Sequence, residues 1–220
     1  MIVVHHLENS RSQRVLWLLE ELGVPYEVKR YERDKQTMLA PPELRAIHPL
    51  GKSPVITDGE ATLAETGAIV EYLIDTYGQG RLIPPKGTPE RLRYTYWLHY
   101  AEGSAMPPLL MKLIFSVLPA RSPGIMRPIV RTIADRAQKG FINPQIDAHL
   151  AFWEAELGRS EWFAGDQLTG ADIMMSFPVE GAAHRFGLDA RPRLQAFLDN
   201  IHARPGYIRA LERGGPYALL

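Results

Sequence analysis

The chain has no cysteine among its 220 residues. That removes disulfides, thiolate metal sites, a CxxC redox pair and a cysteine nucleophile together, so any thiol chemistry must use a thiol carried in by a ligand. It also has no excess of charge, with 25 lysines and arginines against 25 aspartates and glutamates. Nucleic-acid and anionic-membrane binders normally show a basic surplus, so neither partner is expected. No run approaches the ~18 consecutive apolar residues of a membrane span. The start, MIVVHHLENS, has no basic stretch followed by an apolar one, so a signal peptide is not expected either. These absences point to a cytoplasmic protein. The seven histidines show no metal-ligand spacing such as HExxH, so no metal is expected, and P-loop, GxGxxG and GxSxG motifs are missing.

What is present is an ordinary globular composition, 45% hydrophobic and 23% charged, in a chain long enough to bury a core without cross-links. IVVHHL (2–7) reads as a buried strand, and YEVKRY (26–31) alternates as a second. Between them Val15, Leu18, Leu19 and Leu22 follow helical spacing, and Gly23 with Pro25 ends that helix. PPELRAI (41–47) is a short helix. PVITDGEATLA (54–64) reads as a hairpin around Asp58-Gly59, because glycine accepts the positive φ of tight turns. Val70, Leu73, Ile74 and Tyr77 then make a third helix. The order is β-α-β-α-β-β-α over residues 1–78, with the first two strands parallel by a right-handed crossover. Residues 79–89, rich in glycine and proline, read as a linker. Residues 90–220 are almost wholly helical in pattern, and Pro107-Pro108 is expected to kink or interrupt a long helix.

Three places could carry chemistry, and each has a plain structural alternative. In HPLGKSPVI, Pro54 opens a strand. A trans proline there suffices for structure. A cis Ser53-Pro54 bond would instead turn the backbone N–H and C=O of Ser53 outward, toward an extended peptide. Glu65-Thr66 lies at the start of the third helix, where the pair could cap it or could hold a ligand's ammonium and carboxylate. In ENSRSQRVLWLLEEL, Asn9, Ser10 and Ser12 precede an apolar helix, where such residues usually serve as caps.

Taken together, Ser10…Arg14 at the first strand–helix junction, Ser53-Pro54 before the hairpin and Glu65-Thr66 opening the third helix resemble the thioredoxin-like half of the soluble glutathione transferases. FAGDQLTGADI is similar to that family's capping-box segment, with Thr169 as cap, Asp172 reaching back, and Leu168 and Ile173 as a hydrophobic staple. HPLGKSPVI and RYERD…APPELRAI look like a bacterial and fungal theta-related subgroup. The resemblance covers essentially the whole chain. It departs in having Glu-Thr where the family usually has Glu-Ser, and in lacking the tyrosine-type thiol activator.

The resemblance implies an α/β thioredoxin-like glutathione-binding domain followed by an all-helical domain that forms an electrophile cleft. It implies glutathione as the missing thiol, with Ser10 as the thiolate's hydrogen-bond donor, Asn9 as the alternative, and Ser12 left to cap the helix. Arg14 would tie the helix to the domain interface. The Ser53 backbone would pair with the cysteinyl unit, and Glu65 and Thr66 would hold the γ-glutamyl end. Lys52 would meet a carboxylate, with Lys35 or Gln36 a weaker choice. Trp97, Met106, Leu110 and Phe115 would line the electrophile cleft. A homodimer is implied, with Glu102 of the partner subunit completing the γ-glutamyl site. The activity implied is glutathione transfer to small hydrophobic electrophiles. The rival readings are a glutathione-dependent peroxidase or disulfide reductase, and a non-catalytic regulatory binding protein of the same fold.

Overall fold

The computed structural model describes residues 1–34, 36–37 and 39–218. It begins with β1 (Ile2–Leu7), α1 (Ser12–Leu22), β2 (Tyr26–Tyr31), α2 (Pro42–Ile47), β3 (Val55–Asp58), β4 (Ala61–Ala64) and α3 (Thr66–Tyr77). The four strands form one sheet in the order β2-β1-β3-β4. β1 runs parallel to β2 and antiparallel to β3, and β3 pairs with β4 across a two-residue turn. The expected thioredoxin-like order is therefore the observed one. Gly59, the first turn residue, has φ 58, a value costly for any residue with a Cβ. Gly23 ends α1 at φ 66 and donates its N–H to the carbonyls of Glu20 and Leu19.

After turns and bends over 79–88, the chain continues as α4 (Pro89–Tyr100), α5 (Met106–Arg121), α6 (Arg127–Ala137), α7 (Asn143–Glu156), α8 (Gly170–Phe186), α9 (Pro192–His202) and α10 (Pro205–Gly214). Pro107-Pro108 does not break the helix. The 33 residues from Pro89 to Arg121 stay continuous, and a π-helical turn at Ala101–Ala105 sits just before the prolines. Two prolines leave two carbonyls of the preceding turn without helical donors, and the wider turn absorbs the mismatch.

The core explains how the site-bearing elements are held. Val15, Leu16, Trp17, Leu18 and Leu19 are all fully buried, so α1 is enclosed on every side. It packs on β1, α3, α8 and α10. α8 is buried from Gly170 to Ala182. A Cβ at Gly170 would lie 2.5 Å from Ile74 Cδ1 and 3.0 Å from Val70 Cγ1, so glycine permits the close approach of α8 to α3. The capping box at the start of α8 is present as expected: Asp172 Oδ2 accepts from the Thr169 N–H at 2.8 Å. Asp172 also accepts from the Phe163 N–H at 2.8 Å, and burial raises its carboxyl to about 6 despite those donors.

Candidate active site

Strand register places three of the marked segments side by side. Val55 pairs with both His5 and Ala64. The next positions outward are Pro54, His6 and Glu65, so Ser53-Pro54, the β1–α1 turn and the start of α3 share one end of the sheet. Hydrogen bonds fasten them. The Ser53 hydroxyl donates to the His5 carbonyl at 2.9 Å and accepts from the Leu7 N–H at 3.2 Å. The Arg14 guanidinium reaches from α1 to Thr66 Oγ1 at 3.4 Å and to the Met174 carbonyl at 2.7 Å.

The Ser53-Pro54 bond is cis, so the trans alternative does not hold. Among the described residues the Ser53 N–H and C=O find no hydrogen-bond partner. Lys52 is exposed beside them. Glu65 sits at the helix N-cap position with φ 69 and makes no side-chain cap bond, so the simple capping reading fails for it. An L residue held at such a φ costs about 1–3 kcal/mol and clusters at functional sites. Its carboxylate is exposed, whereas Thr66 is buried.

The β1–α1 turn departs from expectation in one respect. Ser12 is not the cap of α1: the N-cap position is Arg11, with no side-chain cap bond. Ser12 points inward, 2.8 Å from His6 Nδ1 and 2.7 Å from Ser10 Oγ. Ser10 Oγ also accepts the Ser12 N–H at 3.3 Å, and Ser10 is only 6% exposed. His6, Ser12 and Ser10 thus form a hydrogen-bonded chain from the sheet to the turn. Burial holds the His6 imidazole down at about 4, with the Arg30 charge acting in the same direction. Asn9, at φ 50, accepts the Ala218 N–H on its side-chain oxygen at 2.6 Å, which leaves its amide nitrogen as a donor. A left-handed asparagine is readily tolerated.

Behind the turn, Glu102 from the π-helical turn bonds Arg14, and Arg11 Nε donates to its two oxygens at 3.0 and 2.9 Å. Burial resists ionisation of Glu102, but the Arg14 and Arg11 charges outweigh it and hold the carboxyl below the ordinary value. Glu102 thus pairs with two arginines of its own chain. Arg14 has the interface role expected of it.

The proposed cleft residues divide. Trp97 is 1% exposed and enclosed by Tyr96, Tyr100, Phe152 and Phe163, and Met106 is also in the core; neither faces a cleft. Leu110 is 48% exposed and Phe115 half-buried, so both remain open to a ligand. Gln36 lies in an exposed turn, its N–H held by Asp34 at 3.0 Å, and Lys35 lies outside the described residues. A cavity of about 850 Å³ lies away from this sheet end, between residues 80–86 and the turn before α8.

Residues 1–75 match the family model described as glutathione S-transferase, N-terminal domain, and residues 125–210 match glutathione S-transferase, C-terminal domain. Glutathione S-transferase 3 of Schizosaccharomyces pombe is 35% identical over 97% of this chain and 88% of its own length. The chain belongs to the soluble glutathione S-transferase family. A solved glutathione S-transferase from Actinobacillus pleuropneumoniae superposes with a TM-score of 0.82 at 34% identity, covering 100% of this transferase and 95% of that chain. A sphingomonad glutathione S-transferase solved with glutathione gives a TM-score of 0.74 over 97% of this chain and 98% of its own. At 22% identity that likeness concerns the fold. The transferase thus has the family's fold and activity. Three parts of its site were not visible in the sequence: the pairing of Arg11 with Glu102, the His6–Ser12 link, and the return of Ala218 to Asn9 in the turn. Only Arg11 had a local signal, its position next to Ser10.

Proposed function

We propose that the β1–α1 turn ionises the thiol of glutathione and directs it at a small hydrophobic electrophile. A free thiol near pKa 8.5 is only ~3% ionised at pH 7. Lowering it by about two units raises the reactive fraction roughly 25-fold, for a differential stabilisation of ~2.7 kcal/mol. The Ser10 hydroxyl and the positive end of α1 are the source of that stabilisation. To donate to the thiolate, Ser10 must turn its proton away from Ser12. The Ser12 oxygen keeps its contacts to His6 and to the Leu7 carbonyl at 3.4 Å, so that turn orphans no buried group. The Asn9 amide supplies a second donor.

The remaining assignments follow the tripeptide outward. The Ser53 N–H and C=O pair with its cysteinyl unit, the Glu65 carboxylate meets the γ-glutamyl ammonium, and Thr66 with the first amides of α3 meets the adjoining carboxylate. Lys52 meets the remaining carboxylate. Residues 1–78 form the glutathione domain, 79–89 the linker and 90–220 the domain carrying the cleft, where Leu110 and Phe115 face the electrophile. The enzyme works as a cytoplasmic homodimer in detoxification. The observation that carries the reading is the convergence of the turn, the cis Ser53-Pro54 bond and Glu65-Thr66 at one sheet end.

The test is the ultraviolet thiolate absorbance of bound glutathione against pH. An apparent pKa at least one unit below that of free glutathione is expected, moving back upward in Ser10→Ala and by less in Asn9→Ala. Binding with an unshifted thiol, or no binding, would refute the mechanism.

A further inference from the structure

Arg11 directly follows Ser10, yet its side chain leaves the glutathione domain altogether. Its Nε donates to both oxygens of Glu102, at 3.0 and 2.9 Å, and its guanidinium carbon lies 5.4 Å from the centre of the Phe177 ring. Glu102 belongs to the π-helical turn between α4 and α5, and Phe177 to α8, so both partners are in the helical domain. The side chain therefore bridges the two domains beside the hydroxyl assigned to the thiolate.

The bridge leaves most of the guanidinium unused. Arginine carries five N–H donors, and here only the one on Nε is committed. Nη1 and Nη2 find no hydrogen-bond partner among the described residues, and the side chain is 34% exposed. Arg14 makes the contrast. It is fully buried, with Nη1 spent on the Met174 carbonyl and Nη2 on Thr66 and Glu102. A guanidinium clamped between Glu102 and Phe177 has already lost its rotamer freedom, so its free donors are preorganised.

We propose that Arg11 is a catalytic residue that acts on the electrophile, its Nη N–H groups donating to the oxygen of a conjugated carbonyl as the thiolate adds. The assignment rests on the thiolate reading of the site. The sulfur lone pair forms the C–S bond at the β-carbon, the carbon–carbon π pair shifts toward the carbonyl, and negative charge collects on its oxygen. The α-carbon then takes a proton from water, which balances the proton that the thiol released. Donors already aimed at a developing oxyanion stabilise it without reorganisation. An arginine can also act on the sulfur through charge alone. Here the Glu102 carboxylate offsets that charge at hydrogen-bond distance, while the short-range Nη donors stay intact. An alkyl halide carries its charge away on the halide, opposite the sulfur, and gains nothing from these donors.

The test compares two electrophiles in steady-state kinetics of the full-length enzyme, trans-2-nonenal and benzyl chloride. In Arg11→Ala the ratio of kcat/KM for the aldehyde to kcat/KM for the chloride should fall by about tenfold or more. Arg11→Lys keeps the charge and the pairing with Glu102 but loses the planar fork of donors, so the ratio should still fall by about threefold or more. The thiolate absorbance of bound glutathione, read on the same samples, should titrate as in the wild type in both variants. Equal losses on the two electrophiles would overturn the proposal and leave Arg11 a support of the turn. A bound thiol that becomes harder to ionise without Arg11 would overturn it too, by placing the residue on the sulfur. An unshifted thiol in the wild type refutes the thiolate reading itself, whereas a normal thiolate with an unchanged ratio refutes the Arg11 assignment alone.

Discussion

Acid should weaken the fold through His6. The imidazole is 3% exposed, and burial with the nearby Arg30 charge takes it from 6.5 to about 4. Between those values the unfolded chain binds a proton that the folded chain does not, so stability rises with pH across the window. The contribution is fully present above 6.5 and falls as pH drops toward 4. One proton bound by the unfolded chain alone costs about 1.4 kcal/mol for every pH unit of acidification, so the loss from pH 7 to pH 5 works out at about 2 kcal/mol. His5 and His149 are also lowered by burial and push the same way, so the wild type alone does not isolate His6. His6→Asn keeps an acceptor for the Ser12 hydroxyl but does not titrate. Urea unfolding of both proteins at pH 7 and pH 5 gives the comparison, with stability taken from midpoint and slope. The wild type should lose about 2 kcal/mol more than the variant. Equal losses would show that His6 is protonated in the fold or solvated, and the buried His6–Ser12–Ser10 chain would then be wrong.

Glu102→Gln removes the carboxylate from Arg14, which is fully buried; a loss of about 3 kcal/mol is expected in urea unfolding, with weaker glutathione binding as α1 loosens from α3. Gly170→Ala should cost about 1–3 kcal/mol in thermal unfolding, because the added methyl meets Ile74 and Val70. Thr169→Ala removes half of the capping box and should cost about 1 kcal/mol by the same measurement. Ending the chain at Pro216 deletes the Tyr217 hydroxyl that donates to Glu180 at 2.7 Å and the Ala218 N–H that holds Asn9. The glutathione KM should rise several-fold in steady-state kinetics, since the turn loses a support that also orients the Asn9 amide.

Much of the glutathione half was legible because its signals are local. Helical spacing from Val15 to Leu22, Gly23 as a stop and Gly59 in the hairpin turn each act within a few residues, and each appears where local physics put it. The cis bond at Pro54 was an open alternative, since nothing within the dipeptide decides it. Other features depend on partners far along the chain. Trp97 reads as a cleft aromatic until Phe152 and Phe163 close around it. Ser12 reads as a cap until β1 brings His6 within 2.8 Å of its hydroxyl. Glu102 reads as a free acid until α1 presents Arg11 and Arg14. The sequence by itself determined the elements and their order, because propensity, capping and turn chemistry act over short separations, while glutathione and the residues that would hold it came from the resemblance of its motifs to a family. Only the tertiary structure decided which side chains face a ligand and which are spent inside the protein. Burial and pairing depend on contacts between segments that local chemistry does not specify.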